Sequence, residues 1–221
     1  MDQTQGAQLL TVNVVAELRP DHGRTVRPTA IDKRPVTGRI AVGPLGVAGD
    51  LQANRKYHGG LDKAVYAFAR EDVAHWESRL GRPIPPGTFG ENFSTVGLEV
   101  SDALVGERWR IGSGADAVVV EVTMPRTPCM TFARWMGESR WVKRFSAYGR
   151  LGAYLRVTTP GEVSPGDPVA VVHRPAHGVP VSAVFTGLEP AQARTLFEAR
   201  DDGEVRLCPE VRDRVAQALG R

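Results

Sequence analysis

Glycine and proline divide most of this chain into short segments. The sequence has 24 glycines and 16 prolines among its 221 residues, and as far as residue 175 they separate runs of β-branched and aromatic side chains. Glycine and proline interrupt long helices and favour turns, so this punctuation favours a sheet or a barrel over a helical bundle. We therefore predict a mainly β fold, built as a β-barrel, with a few helices.

Six segments have the composition and the turn boundaries of strands. They are residues 10–18, 38–42, 63–68, 118–123, 153–158 and 169–173. Two further segments, 71–80 and 132–145, have the helical spacing of large apolar residues, and Gly137 is placed to interrupt the second. Their aromatic residues are predicted to cover a sheet rather than to stack on a cofactor.

The composition changes after Pro175. Residues 186–190 (TGLEP) are typical of a capped helix start with proline in the first turn, and a second helix start lies at Pro209. We predict a barrel domain over residues 1–177 and a small helical appendage over 178–221. Cys208 is interpreted as a structural residue at the entrance of the last helix.

The charge balance excludes some classes of partner. The chain has 28 basic and 25 acidic residues and a net charge of +3, which argues against nucleic-acid binding and favours a small anionic partner. The sequence has no N-terminal signal pattern and no apolar run of about 18 residues, so we expect no membrane segment. Its two cysteines lie far apart in unlike contexts, which favours a reducing compartment, the cytoplasm.

Residues 123–129 (TMPRTPC) place a thiol beside a fixed positive charge. The prolines at 125 and 128 disfavour helical geometry around them, so Arg126 and Cys129 are expected in extended or turn conformations. A nearby guanidinium stabilises a thiolate, which is the form that binds soft metals or attacks electrophiles. The alternative for Cys129 is a small buried hydrophobic residue.

Residues 49–66 concentrate polar, basic and glycine residues before an apolar strand. Gly59 and Gly60 would let the backbone approach a ligand closely. Lys63 carries a charge suited to phosphate, and His58 can donate or accept a hydrogen bond at neutral pH. Together they predict a ligand-binding loop.

Two other sets of polar residues are candidates with open alternatives. The amide of Asn92, in a glycine-bracketed loop, could recognise the edge of a heterocycle or simply make a turn. Arg144 and Arg150 would form an anion clamp with Arg126 and Lys63 if the fold brings the four together, and otherwise they lie on solvated faces.

Several familiar chemistries lack their motifs. The sequence has no Gly-x-Ser-x-Gly, Walker, His-Glu-x-x-His or Cys-x-x-Cys motif. A closed structural zinc site needs four nitrogen or sulfur ligands, of which Cys129 and His58 would supply two.

The motifs also occur in a familiar order. They are GRI (38–40), VGPLG (42–46), GD (49–50), HGGLDKAVY (58–66), FGEN (89–92), PRTPC (125–129) and GRLGAYLRV (149–157). In these segments, over residues 30–175, the chain resembles the MOSC domain, the molybdenum cofactor sulfurase C-terminal domain, in its stand-alone YiiM-like form. The tail is similar to the small three-helix segment that follows this domain.

The resemblance implies a MOSC β-barrel of the pyruvate kinase barrel type. It also implies a bound molybdenum cofactor, in which molybdenum is held by the dithiolene of a phosphorylated pterin (molybdopterin), with Cys129 as the ligand to the metal. Cationic and glycine residues of the motifs would hold this cofactor: Arg126, Lys63, Arg144, Arg150, Gly59 and Gly60.

The implied activity is a molybdenum-dependent reduction of N-hydroxylated compounds, such as N-hydroxylated purines. His58 or Asn92 would orient the substrate or relay a proton, and Cys129 would act at the catalytic centre. Electrons would come from a flavin- or haem-containing partner protein, because the sequence has no motif for a redox group of its own.

The chain departs from the family pattern at two positions. Asn54 stands where an aspartate is common, and Met124 stands where a glutamine is common. Met124 removes a polar group near the metal, so the substrate range would differ if that glutamine contacts substrate or an oxo ligand, whereas the Cys129 ligand would be unaffected. Two other functions stay open: a carrier of molybdenum cofactor or sulfur without turnover, and a metal-free anion-binding module in which Cys129 is only packed in the wall. The sequence is compatible with a homodimer, but no residues in it specify an interface.

Overall fold

The structure is a computed structural model and describes residues 6–23, 26–53 and 58–220. The strands in these ranges are β1 Gln8–His22, β2 Val26–Val36, β3 Ile40–Gly43, β4 Gly46–Val47, β5 Val65–Ala69, β6 Phe93–Val96, β7 Arg108–Ile111, β8 Val118–Pro125, β9 Ala153–Thr159, β10 Gly161–Val163 and β11 Val169–His173. The helices are α1 Arg70–Leu80, α2 Met130–Met136, α3 Trp141–Tyr148, α4 Val181–Thr186, α5 Pro190–Asp201 and α6 Pro209–Ala218.

Eight of these strands form one mixed sheet in the order β11-β7-β8-β9-β5-β6-β1-β2, and β10, β3 and β4 form a smaller one. Within the described residues β5 and β6 run parallel, and the other paired strands are antiparallel. The predicted mainly β class is confirmed.

A closed barrel is not shown. Within the described ranges the large sheet has two ends, at β11 and at β2. One isolated bridge joins Gln8, at the start of β1, to Pro168, just before β11. At this bridge the N–H of Leu9 donates to the Asp167 carbonyl at 2.9 Å and the N–H of Val169 donates to the Ala7 carbonyl at 2.8 Å, so the bridge is hydrogen-bonded but short.

The sequence missed five strands, of which β2 is the longest. Pro28 and Pro35 lie inside β2, and a proline within a segment disfavours a strand at that position. In the structure β2 pairs with β1 and occupies an edge of the sheet, where a missing N–H costs no ladder hydrogen bond. Tertiary position therefore overrides the local signal at β2.

The helices follow the predicted periodicity. The interruption at Gly137 is confirmed: it ends α2 with φ 69°, a left-handed conformation that glycine adopts without a steric penalty. Helix α5 begins with the predicted proline in its first turn and has Glu189 as its N-cap, and α6 begins at Pro209. Among the helices of the described residues, none is long and apolar enough to cross a membrane.

The hydrophobic residues form two clusters. The larger one lies between the sheet and the C-terminal helices, which share it with β1, β5, β8 and β9. The expected boundary after residue 177 thus falls between β11 and α4, in a chain whose two parts pack on one core. The smaller cluster is aromatic and includes Phe89, Phe132, Trp141 and Phe145, all fully buried. Because these rings are buried, the predicted core role of the helix aromatics is confirmed. Burying each such ring contributes about 2–3 kcal/mol.

Candidate functional site

A cavity of about 520 Å³ opens beside the aromatic cluster. Its walls come from β2, the loop after β4, the turn before β5, the loop before β6, the end of β8 and the start of α2. Six of the residues selected from the sequence line it: His58, Gly59, Lys63, Asn92, Arg126 and Cys129. Segments that are far apart in the chain therefore meet at one site.

Cys129 lies at the point where the cavity wall becomes a helix. Its backbone is extended, with φ −130° and ψ 172°, and it is the N-cap residue of α2, so the extended geometry predicted for it is confirmed. The thiol makes no capping hydrogen bond, and the residue is half-buried with a free sulfur. The thiol is therefore available to a ligand in the cavity.

Arg126 is a buried cation that faces the cavity. The residue is 5% exposed, and its guanidinium carbon lies 3.8 Å from the centre of the Phe132 ring. Its Nη1 atom is buried and has no hydrogen-bond partner, and within the described residues Arg126 has no ion pair. A buried charge without a counter-ion is costly, so an anion bound in the cavity would stabilise the Arg126 guanidinium.

The side chain of Asn92 links three strands to a buried ion pair in the cavity lining. Its Oδ1 accepts from the N–H of Tyr66 at 3.2 Å, and its Nδ2 donates to the carbonyl of Asn13 at 3.1 Å and to Asp50 Oδ2 at 2.8 Å. Asp50 also binds the ammonium group of Lys33. Burial lowers the pKa of Lys33, although Asp50 opposes this shift. Both N–H donors of the Asn92 amide are thus used within the protein.

We expect Asn92→Ala to destabilise the fold by about 3 kcal/mol. The substitution leaves the Tyr66 N–H and the Asn13 carbonyl without partners and removes a donor from Asp50, and each buried unpaired group costs about 1–3 kcal/mol. Urea unfolding followed by tryptophan fluorescence measures this loss. Thr95→Val is the matched control, because the buried Thr95 hydroxyl has no partner to lose. A loss for Asn92→Ala no larger than for the control would contradict this role.

His58 and Tyr154 form a hydrogen-bonded pair in the cavity wall, with Nδ1 and Oη 3.2 Å apart. Burial lowers the pKa of His58 to about 4, and the charges of Arg126, Lys63 and Lys33 add to this effect. Burial raises the pKa of Tyr154. Both side chains are therefore neutral near pH 7 and can exchange hydrogen bonds with a ligand.

The low pKa of His58 predicts an acid-sensitive fold. The unfolded histidine binds its proton near pH 6.5 and the folded one near pH 4, so the stabilising contribution is present above pH 6.5 and is lost as pH falls toward 4. The full loss is about 3 kcal/mol. Urea unfolding at pH 7 and pH 4.5 should show a smaller pH dependence in His58→Gln than in the wild type. His22→Gln, which removes an exposed histidine, should behave as the wild type; equal slopes for all three would rule out the shift.

The turn that presents Lys63 depends on two glycines. Gly59 and Gly60 both have φ 83°, which L-residues rarely adopt, and a 3-10 turn, Leu61–Lys63, follows them. Lys63 lines the cavity while its Nζ contacts Glu210 Oε1 of α6 at 2.5 Å. Burial raises the pKa of the nearby Cys208 thiol to about 11, in keeping with its expected structural role.

Three other residues predicted to bind the cofactor do not line this cavity. Arg150 pairs with Asp72, Glu99 and Asp102. Arg144 contacts Glu138 at 3.3 Å and lies 5.7 Å from the Trp141 ring centre. Gly60 serves the turn and is outside the lining. The four-cation clamp is thus reduced to Arg126 and Lys63.

Sequence reasoning missed several lining residues. Lys33 lies in the unrecognised strand β2, and Tyr154 lies in a quoted motif without having been given a role. Asp21 at the tip of β1 accepts from Thr131 Oγ1 at 2.6 Å and from Arg134 Nε at 2.5 Å, which joins β1 to α2 at the cavity edge. No local signal assigned these residues to the site, because their place in it depends on strand pairing.

Of the two residues that depart from the family pattern, Met124 and Asn54, the structure describes Met124. Met124 is 8% exposed and belongs to the larger hydrophobic cluster, and it is not part of the cavity lining. Asn54 lies outside the described residues.

Comparisons with known proteins agree with this architecture. The MOSC domain family model matches residues 54–170. The chain is 35% identical over 153 residues to the uncharacterized protein YflK of Bacillus subtilis, covering 69% of this chain and 67% of YflK. It is 30% identical over 152 residues to a protein of Gibberella moniliformis named reductase, covering 66% of this chain but 26% of that protein.

A crystal structure gives the same result for the fold. YiiM from Geobacillus stearothermophilus superposes with a TM-score of 0.73 at 26% identity, over 96% of this chain and 99% of YiiM. The chain therefore belongs to the MOSC domain family. Within that family it is similar to YiiM, so the resemblance inferred from the motifs is confirmed.

Proposed function

We propose that the chain binds molybdenum cofactor in the 520 Å³ cavity and there reduces N-hydroxylated compounds with electrons from a partner protein. The observation that carries this proposal is the buried guanidinium of Arg126, whose Nη1 has no hydrogen-bond partner, on the same wall as Cys129. The membership of the MOSC family and the relative named reductase support an oxidoreductase.

The charges of the cavity fit an anionic cofactor. Its acidic residues are already paired, Asp50 with Lys33 and Asp21 with Arg134. Arg126 is not, so a dithiolene or phosphate group would supply the missing acceptor in a charge-assisted hydrogen bond. Lys63 lies on the same lining, where its ammonium group is shared with Glu210 of α6.

The donor set also fits a metal that arrives with its own ligands. The described part of the chain contains no group of three or more His, Cys, Asp or Glu residues able to hold a metal ion. A site made of protein ligands alone is therefore not provided there. One thiol suits a soft transition metal that is already chelated by sulfur.

The reaction is R–NHOH + 2 e⁻ + 2 H⁺ → R–NH₂ + H₂O. When bound, the cofactor supplies the two-electron redox chemistry that removes the hydroxyl oxygen. His58, neutral at pH 7, orients the N–OH group through its ring N–H and passes a proton toward it. Tyr154 holds the imidazole through Nδ1 and lies next to it in the proton path. The apolar ring of Phe89 forms one side of the cavity.

The proposal is tested on protein purified from a host that makes the cofactor. Molybdenum is measured by mass spectrometry and released pterin by fluorescence, and an N-hydroxylated purine is then supplied with reduced methyl viologen. We expect near-stoichiometric metal and conversion of the purine to its amine. Absence of both metal and pterin would overturn the proposal. Metal and pterin without turnover of N-hydroxylated compounds would favour the carrier function, which the partial exposure of Cys129 also permits.

A further inference from the structure

A second concave surface lies between the sheet and the C-terminal helices. It encloses about 560 Å³ and shares no lining residue with the first cavity. Four arginines converge on it from β7, from α5, from the segment before α6 and from α6. They are Arg108, Arg200, Arg206 and Arg212, and we call this surface the arginine groove.

Two of these arginines have unused charge. Arg206 is 66% exposed at its side chain, and its nearest carboxylate, Asp62, is 3.9 Å away and already bound to Arg156 at 2.7 Å. Arg212 is exposed and makes no ion pair with any residue that the structure describes. The other two arginines are held by neighbouring carboxylates. The groove therefore presents two cations to a partner from outside.

The arginine groove and the first cavity are lined by adjacent residues of one turn. Asp62 lines the groove and Lys63, the next residue in the same 3-10 turn, lines the cavity. Lys63 also contacts Glu210 of α6, which stands between the groove residues Pro209 and Arg212. A protein bound in the groove would thus contact the same 3-10 turn that lines the cavity.

We propose that the arginine groove docks an electron-donor protein through aspartate and glutamate side chains on the donor's surface. This inference rests on the proposed reduction, which needs two electrons from outside. Complementary charge steers such encounters and raises the association rate. Redox partners bind through small interfaces and separate readily. Because this contact depends on charge, salt should weaken it.

The spacing of charges in the groove favours a protein over a nucleic acid. Asp62 and Glu204 lie among the arginines. Such acidic residues repel a continuous row of phosphates, whereas separate carboxylates on a protein can reach individual guanidinium groups. Binding of an oligonucleotide through these arginines is therefore the outcome that would replace this proposal.

The test compares two charge reversals of equal size. Arg206→Glu with Arg212→Glu reverses the groove, and Arg79→Glu with Lys143→Glu reverses two exposed cations on α1 and α3. Binding of an acidic flavodoxin and of an acidic haem cytochrome is measured by titration calorimetry at low and at physiological salt. We expect the groove variant to bind at least about tenfold more weakly than the wild type, and the control variant to bind as the wild type does.

A second measurement separates this inference from the proposed function. Reduced methyl viologen needs no docking surface, so the groove variant should keep its methyl viologen rate and lose the rate supported by the donor protein. Failure of the wild type with methyl viologen would count against the reductase and leave the binding result standing. The docking proposal is overturned if the wild type binds neither donor, if both variants lose binding equally, or if an oligonucleotide binds the groove instead.

Discussion

Cys129→Ser should lower the molybdenum content per chain of the purified protein at least about tenfold relative to the wild type. A serine hydroxyl is a poor ligand for a soft metal, whereas the thiolate is a good one. Metal and pterin per chain, measured on protein from a cofactor-producing host, give the result without any activity assay. Cys208→Ser is the matched control, since Cys208 is 1% exposed and outside the cavity lining, and it should keep its metal.

The same substitution should not damage the fold. Cys129 is the N-cap of α2 and makes no capping hydrogen bond, and serine is a preferred N-cap residue worth about 0.5–2 kcal/mol relative to alanine. Urea unfolding of the metal-free proteins should therefore show equal or higher stability for Cys129→Ser. Retention of metal and pterin at the wild-type level would show that Cys129 is not the ligand.

Arg126→Met should separate stability from function with opposite signs. The variant keeps an unbranched apolar side chain against the Phe132 ring but removes a buried charge that has no counter-ion. Replacing buried charges by apolar groups is often neutral or stabilising, so we expect an unfolding free energy equal to the wild type or up to about 2 kcal/mol higher. Cofactor retention should fall by about tenfold or more, because a charge-assisted contact is lost.

Arg134→Met is the comparison for this prediction. Arg134 also lines the cavity, but it is paired with Asp21, so its removal leaves a carboxylate unpaired and should lower stability while affecting cofactor retention less. Urea unfolding and metal content are measured on both variants. A strong loss of stability in Arg126→Met with unchanged metal content would make Arg126 a structural residue and remove the main support for the anion site.

The extent to which the site could be predicted varies from residue to residue. Cys129, Arg126 and His58 stood in short motifs with a proline, a cation or glycines beside them, and all three line the cavity. Arg150 stood in an equally good motif, yet it pairs with carboxylates from three distant positions. A motif predicts that a cation is present, but it does not predict which carboxylate will pair with that cation in the folded protein.

The sequence by itself determined the mainly β class, the break between α2 and α3 at Gly137 and the extended backbone at Cys129. These features depend on interactions between near neighbours in the chain, such as steric limits on φ and apolar periodicity. Only the tertiary structure decided that an edge strand with two prolines would bring Lys33 to the cavity, and that β9 would bring Tyr154 to His58. Those contacts depend on which distant strands pair and in what register, and no local pattern encodes that choice.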